Sequence, residues 1–169
     1  EIDGTGVHYD KNGVGKFAEE ITLYAEWGAN SYSIKFDKNS ESATGTMSNL
    51  AMVYGTEKQL TQNAYSWTGY TFNGWNTKAD GTGASFTDKQ SVNNLAISGT
   101  ITIYAQWTPN TYTVKFNANG GTGTMQDETM TYDTNKALTV NTFTRDGYTF
   151  EKWNTKADGT GTNYTDGQS

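Results

Sequence analysis

"WNTKADGTGASFTD", residues 75–88, returns nearly letter for letter as "WNTKADGTGTNYTD" at 153–166, and a shorter echo, "DGTGVHYD", stands at 3–10. A glycine-rich tract present in three copies is either a ligand loop or the turn of a module built more than once. Asp80-Gly81, Asp158-Gly159 and Asp3-Gly4 are strong turn signals, because glycine takes positive φ at no steric cost. Phe86, Tyr164 and Tyr9 follow the turn at matching places. The tract therefore reads as a reversal leading from a strand into a short aromatic-bearing segment. A phosphate loop needs Gly-x-Gly-x-x-Gly or Gly-x-x-x-x-Gly-Lys-[Ser/Thr] before a helix, and GTGASF and GTGTNY have neither. A calcium loop needs several carboxylates or amides at alternate positions, whereas Asp80 is followed by no further acid until Asp88.

Outward from this tract the whole chain is self-similar, the mark of a repeat architecture. SYSIKFDKN (31–39) matches TYTVKFNAN (111–119) at a shift of 80 residues, as ITLYAEW (21–27) matches ITIYAQW (101–107). GYTFNGWNTKADGTG (69–83) matches GYTFEKWNTKADGTG (147–161) at a shift of 78. Residues 1–27 are thus expected to be the C-terminal part of a preceding unit. Residues 31–107 read as a complete unit, and 111–169 as a unit lacking its last strand. Only Gly28 to Ser31 and Thr108 to Thr111 separate the blocks, joints too short for free tumbling, so the units are expected end to end.

Period-two alternation supplies the secondary structure. Tyr32, Ile34 and Phe36 alternate with Ser33 and Lys35, and Tyr112, Val114 and Phe116 repeat the arrangement. Residues 48–54 and 128–132 read as a second strand, 70–75 as a third, and Ile101, Ile103, Ala105 and Trp107 as a closing strand. Residues 57–64 gather helix-compatible side chains and predict a short helix. The expected class is α+β, a mixed sheet with a short helix, rich in strands.

Composition narrows the function. Only 34% of the 169 residues are hydrophobic, but Trp 5, Tyr 11 and Phe 7 supply enough rings for small aromatic cores. A net charge of −6, with twelve scattered Lys and Arg, argues against nucleic acid, whose binding rests on phosphate neutralisation. No apolar stretch is long enough to span a bilayer. The lack of cysteine excludes disulfides and thiolate metal sites. The chain starts without Met or a leader pattern, as expected of an internal segment.

Catalysis needs a nucleophile or acid/base group tuned by a partner. The single histidine, His8, stands where the other copies have Ser85 and Asn163, and reads as a surface strand residue. No catalytic, metal or cofactor site is expected. Lys35 and Lys115 recur among many asparagines, the ingredients of a Lys-Asn amide cross-link, yet they alternate with the apolar face and are expected to point to solvent. Trp75 pairs with Trp153 and Trp27 with Trp107, so these belong to the unit's core signature. Trp67, whose counterpart is Thr144 or nearby, is peculiar to the complete unit and is the candidate ligand contact, since sugars stack on exposed rings.

YTVKFNANGGTGTM (112–125), FTRDGYTFEKWNTKADGTGTNYTDG (143–167) and the closing ITIYAQW resemble the Listeria/Bacteroides repeat family, which includes the internalin B-repeat of bacterial surface proteins. The resemblance covers nearly every residue. It implies a β-grasp-like fold with a small mixed sheet wrapped on a short helix, an extracellular, wall-attached setting in tandem arrays, and no catalytic residues. The first loop of the complete copy, FDKNSESATGTM, departs from FNANGGTGTM, which bears on loop shape alone.

Two functions follow from different classes. One is a structural spacer or stalk and protein-interaction segment in adhesion, with host or wall surface proteins as partners. The other is a carbohydrate-binding module contacting glycans through exposed aromatics. In addition, 111–169 has no counterpart of 101–107 and should expose an unpaired edge, and bare edges recruit strands. Residues 1–27 of one molecule are expected to complete 111–169 of another, head to tail.

Overall fold

The computed structural model describes residues 22–169. The Asp3-Gly4 turn, His8 and the other readings made on 1–21 lie outside the described residues.

In residues 31–109 the alternating segments form strands β1 (Ser31–Asp37), β2 (Leu50–Val53), β4 (Tyr70–Asn76) and β7 (Gly99–Pro109). Three short strands join them: β3 (Lys58–Gln59), β5 (Ser85–Phe86) and β6 (Ser91–Val92). Five of these make one mixed sheet in the order β2-β1-β7-β4-β5, and β3 pairs with β6 beside it. The closing strand β7 lies in the middle of the sheet. It runs parallel to β1, with Tyr32 opposite Gly99 and Phe36 opposite Ile103. It runs antiparallel to β4, with Trp75 opposite Ala105.

Tyr32, Ile34 and Phe36 face one side and are buried together with Met52, Leu60, Trp75, Val92, Ile103 and Ala105. Alternation alone would put Phe72 and Trp75 on opposite faces of β4. The register slips between Phe72 and Gly74, and this bulge returns both rings to one face, where they meet at 5.0 Å. Phe36 at 4.9 Å and Tyr65 at 6.1 Å complete an edge-to-face cage around Trp75.

The expected helix over 57–64 is absent. No helix occurs among the described residues, so the α+β and β-grasp-like expectation is corrected to an all-strand unit. The physical reason lies in competing partners. Leu60 is the one large apolar side chain between Glu57 and Ala64, so no helical stripe is available to bury. Lys58 and Gln59 pair instead with Val92 and Ser91, and the Leu60 amide donates to the Gln90 carbonyl at 3.0 Å. Asn63 then turns the chain, its Oδ1 accepting from the Tyr65 amide at 2.9 Å, a local bond that competes with helix.

Residues 111–169 repeat this plan in two separate ladders. Strands β8 (Thr111–Val114) and β9 (Glu128–Thr131) pair, as do β10 (Trp153–Asn154) and β11 (Asn163–Tyr164). The cage recurs, with Phe116, Phe150 and Phe143 at 4.9, 4.9 and 6.1 Å from Trp153. The described residues include no counterpart of β7. β7 is a central strand in 31–109, and in 111–169 the β8-β9 and β10-β11 ladders stand apart without a strand between them.

Candidate functional site

The glycine-rich tract wraps a side chain of its own. Asn76 is buried, and its Nδ2 donates to the Gly81 carbonyl at 3.0 Å, the Gly83 carbonyl at 3.2 Å and Ser85 Oγ at 2.9 Å. Its Oδ1 accepts from the Lys78 and Gly83 amides, both at 2.9 Å. Asn154 does the same in the other copy, with Gly159, Gly161, Asn163 and Lys156. A Cβ on Gly83 would fall 2.2 Å from Thr77 Oγ1, and on Gly161 the same distance from Thr155 Oγ1, so these glycines admit the chain close to the amide. Asp80 Oδ1 is taken by the amide and hydroxyl of Thr82 at 3.0 and 2.8 Å, and the Thr82 amide first of all holds its pKa below the usual carboxylate range. The tract spends its polar groups on its own turn.

A second cluster lies where the copies meet. Strand β7 runs into β8 through one residue, Asn110. Its amide donates to the Gly69 carbonyl at 2.8 Å, and its carbonyl accepts from the Tyr132 amide at 2.8 Å. Its Oδ1 also accepts from Thr71 Oγ1 at 2.6 Å. Tyr70 stands edge-on to Tyr132 at 5.8 Å and donates its hydroxyl to Asp133 Oδ2 at 3.3 Å. Desolvation, followed by the Asp133 charge, raises the Tyr70 pKa.

Trp67 belongs to this cluster. It is half-buried, stacked on Tyr70 at 3.7 Å and 13°, and meets Trp107 edge-on at 6.0 Å. Trp107 touches Phe72 at 5.5 Å and donates its Nε1 to the Lys38 carbonyl at 2.9 Å. A file of rings thus connects the core at Trp75, through Phe72, Trp107, Trp67 and Tyr70, to Tyr132 of the next copy. One face of the Trp67 ring is covered by Tyr70. Its counterpart is Arg145, since the Thr44–Ser66 and Thr122–Thr144 bridges set Thr144 against Ser66. Arg145 lies over the Tyr148 ring at 4.0 Å, a cation on a ring where the other copy stacks two rings.

Sequence reasoning missed Asn110, Tyr132 and Asp133. One signal for the first was available: Asn30 recurs as Asn110 at the repeat shift, and the Tyr54 amide donates to the Asn30 carbonyl at 2.8 Å, just as Tyr132 does to Asn110.

The third feature is a cleft of about 1250 Å³ in 111–169, walled by Tyr112, Val114, Phe116, Tyr148, Phe150 and Trp153, where the described residues include no counterpart of β7. Residues that are covered in the complete copy stand open here. Tyr32 is 4% exposed and its counterpart Tyr112 54%, and Tyr148 reaches 67%. Lys35 and Lys115 are both exposed, the latter 3.5 Å from Asp127 at the surface. Neither sits in the buried setting an amide cross-link requires.

Among the described residues no group of three or more His, Cys, Asp or Glu is placed to hold a metal ion, and no helix is long and apolar enough to cross a membrane.

The profile of the Listeria-Bacteroides repeat domain matches residues 32–106 and 112–169. A protein of Evansella cellulosilytica provisionally named a Gly-rich membrane protein is 39% identical over 128 residues, covering 71% of this chain and 14% of that protein. A second, provisionally named a membrane protein, is 30% identical over 156 residues, covering 90% of this chain and 22% of its own length. The chain thus spans less than a quarter of the curated relatives it matches. No solved structure matches it. Matched over both copies, with the same caged tryptophan and amide-centred turn in each, the chain belongs to the Listeria-Bacteroides repeat domain family.

Proposed function

We propose that 31–107 and 111–169 are successive units of a non-catalytic spacer in an extracellular, wall-associated bacterial surface protein, holding an adhesive segment away from the cell. The observation that carries this reading is the joint at Asn110, bonded through its amide to Gly69 and through its carbonyl to Tyr132, both at 2.8 Å. A one-residue link tied on both sides transmits orientation from unit to unit, which a stalk needs and a flexible tether lacks. The glycine-rich turns support the same reading, because their polar groups are consumed within each unit.

Spin labels placed on 31–107 and on 111–169, read by pulsed electron resonance, test it. A single narrow distance distribution is the expected result, and a broad distribution spanning tens of ångströms overturns the spacer reading.

The second reading is glycan binding at Trp67. In its favour, the ring is half-exposed and has no aromatic counterpart in the other copy. Against it, the Tyr70 stack occupies one ring face. Titration of soluble cell-wall and host oligosaccharides, read by Trp67 fluorescence against a Trp67→Phe variant, decides between the two readings.

A further inference from the structure

Among the described residues β2 and β9 are outer strands, and each turns one row of backbone groups away from its ladder. Tyr54 donates its amide to the Asn30 carbonyl, as Tyr132 does to Asn110, both at 2.8 Å. Bonded and non-bonded pairs alternate along an antiparallel ladder. With Tyr32 opposite Met52 and Tyr112 opposite Met130, residues 51 and 53 of β2, and 129 and 131 of β9, therefore face outward. Such a row is a template for a further strand. In a chain built of near-identical units a fitting strand is always close by, and misassembly between units is the failure to which such chains are prone.

The outward carbonyls of both rows are occupied. Lys58 Nζ donates to the Ala51 carbonyl at 3.0 Å, and Lys136 Nζ to the Thr129 carbonyl at 2.9 Å. The Thr56 amide donates to the Val53 carbonyl at 3.1 Å, and the Thr134 amide to the Thr131 carbonyl at 3.2 Å. The latter bonds belong to the turn that ends each strand. The former need a long cationic side chain reaching back over the strand, at the same place in both copies. We propose that Lys58 and Lys136 are edge guards, which keep β2 and β9 from accepting a strand of another copy.

The geometry suits that role. Lys58 is fixed through its backbone by the pairing of β3 with β6, so its side chain is anchored on one ladder and caps another. In 111–169 Glu128 Oε1, 3.1 Å from Lys136 Nζ, also holds the ammonium over the edge. A strand arriving at β2 would have to displace the ammonium from the Ala51 carbonyl and shut it away from water, which is costly for an unpaired charge. The opposite edge of the sheet, β5, is only two residues long, and so short a strand is a poor template.

Sedimentation velocity over a range of concentrations tests the proposal. It compares the unchanged chain with Lys58→Met/Lys136→Met, and with Lys78→Met/Lys156→Met, which removes equal charge beside the glycine-rich turns. These lysines are all exposed, and near-ultraviolet circular dichroism checks that the caged rings persist. Lys58→Met/Lys136→Met is expected to associate more than the unchanged chain, and Lys78→Met/Lys156→Met no more than it. In the associated variant the outward amides of Ala51 and Thr129 should exchange more slowly by about tenfold, the worth of one added hydrogen bond. Lys58→Arg/Lys136→Arg, which keeps a cation over each edge, should behave as the unchanged chain. A Lys58→Met/Lys136→Met chain that associates no more than the unchanged one, or loses stability without associating, assigns the lysines to fastening their loops alone and overturns the proposal. Equal association of the two methionine variants, or association that leaves those amides unslowed, overturns it as well.

Discussion

Tyr70 and Tyr132 meet edge to face at 5.8 Å across the boundary between the two copies, and Gly69 provides the space in which they do so. Gly69 has φ +81, and a Cβ there would lie 2.3 Å from the Tyr132 ring. Gly69→Ala is therefore expected to cost about 1–2 kcal/mol in backbone strain and to push the Tyr132 ring off its seat. The inter-unit distance distribution should broaden, as read by pulsed electron resonance, while the cage around Trp75 persists in near-ultraviolet circular dichroism.

The two caged tryptophans should differ in worth. Trp75 is fully buried and Trp153 half-buried in the open copy. Trp75→Ala is expected to cost about 3–5 kcal/mol, as for deletion of a large core ring, and Trp153→Ala distinctly less. Urea denaturation of each variant gives the comparison.

The tract that opens the sequence is a scaffold if Asn76 is what orders it. Asn76→Ala removes a buried amide and its bonds to the exposed Gly81 and part-buried Gly83 backbone, for a loss of about 1–3 kcal/mol. Amide exchange at 78–85 should accelerate. Unchanged stability and exchange would return the tract to the class of ligand loops.

Trp67 and Arg145 solve one problem in two ways, stacking on Tyr70 at 3.7 Å and lying over Tyr148 at 4.0 Å. Trp67→Arg is thus expected to retain more stability than Trp67→Ala, by about 0.5–1 kcal/mol for an exposed cation over a ring. Paired thermal melts measure it.

Acid should affect the two copies differently. Glu128 of β9 occupies the position of Leu50, accepts from the Thr139 amide at 3.1 Å and lies 3.1 Å from Lys136 Nζ. The Thr139 amide first, then Lys136, hold its pKa below the ordinary glutamate value. A carboxyl depressed on folding contributes stability above its unfolded pKa and loses it as pH falls through the folded one. Segment 111–169 should weaken on acidification below the usual glutamate range, and Glu128→Gln should flatten that dependence. Unfolding midpoints followed from neutral to acid pH report it. Asp80 and Asp158 are depressed alike by the Thr82 and Thr160 amides, so these two acids act equally in both copies and the Glu128→Gln comparison identifies the carboxyl responsible.

The parts legible in the sequence were those with local causes. Alternation in SYSIKFD located β1 and its buried face, because side chains on a strand point to opposite sides and a one-residue slip would reverse them all. The Asp-Gly pairs located the turns. The helix over 57–64 was misread because its competitor, the 90–92 segment, lies some thirty residues away. The joint was missed because Asn110, Gly69 and Tyr132 are brought together only when β7 and β4 pair.

By itself, the sequence determined that this chain is a repeat, located its four longer strands in 31–109 to within about two residues at each end, and marked Trp75 and Trp153 as core rings, since periodicity and turn chemistry act over a few residues. Only the tertiary structure decided that β7 sits between β1 and β4, at the centre of the sheet. That position depends on pairings between residues far apart in the chain, Trp75 with Ala105 and Phe36 with Ile103, and such contacts leave no local trace in the order of the amino acids.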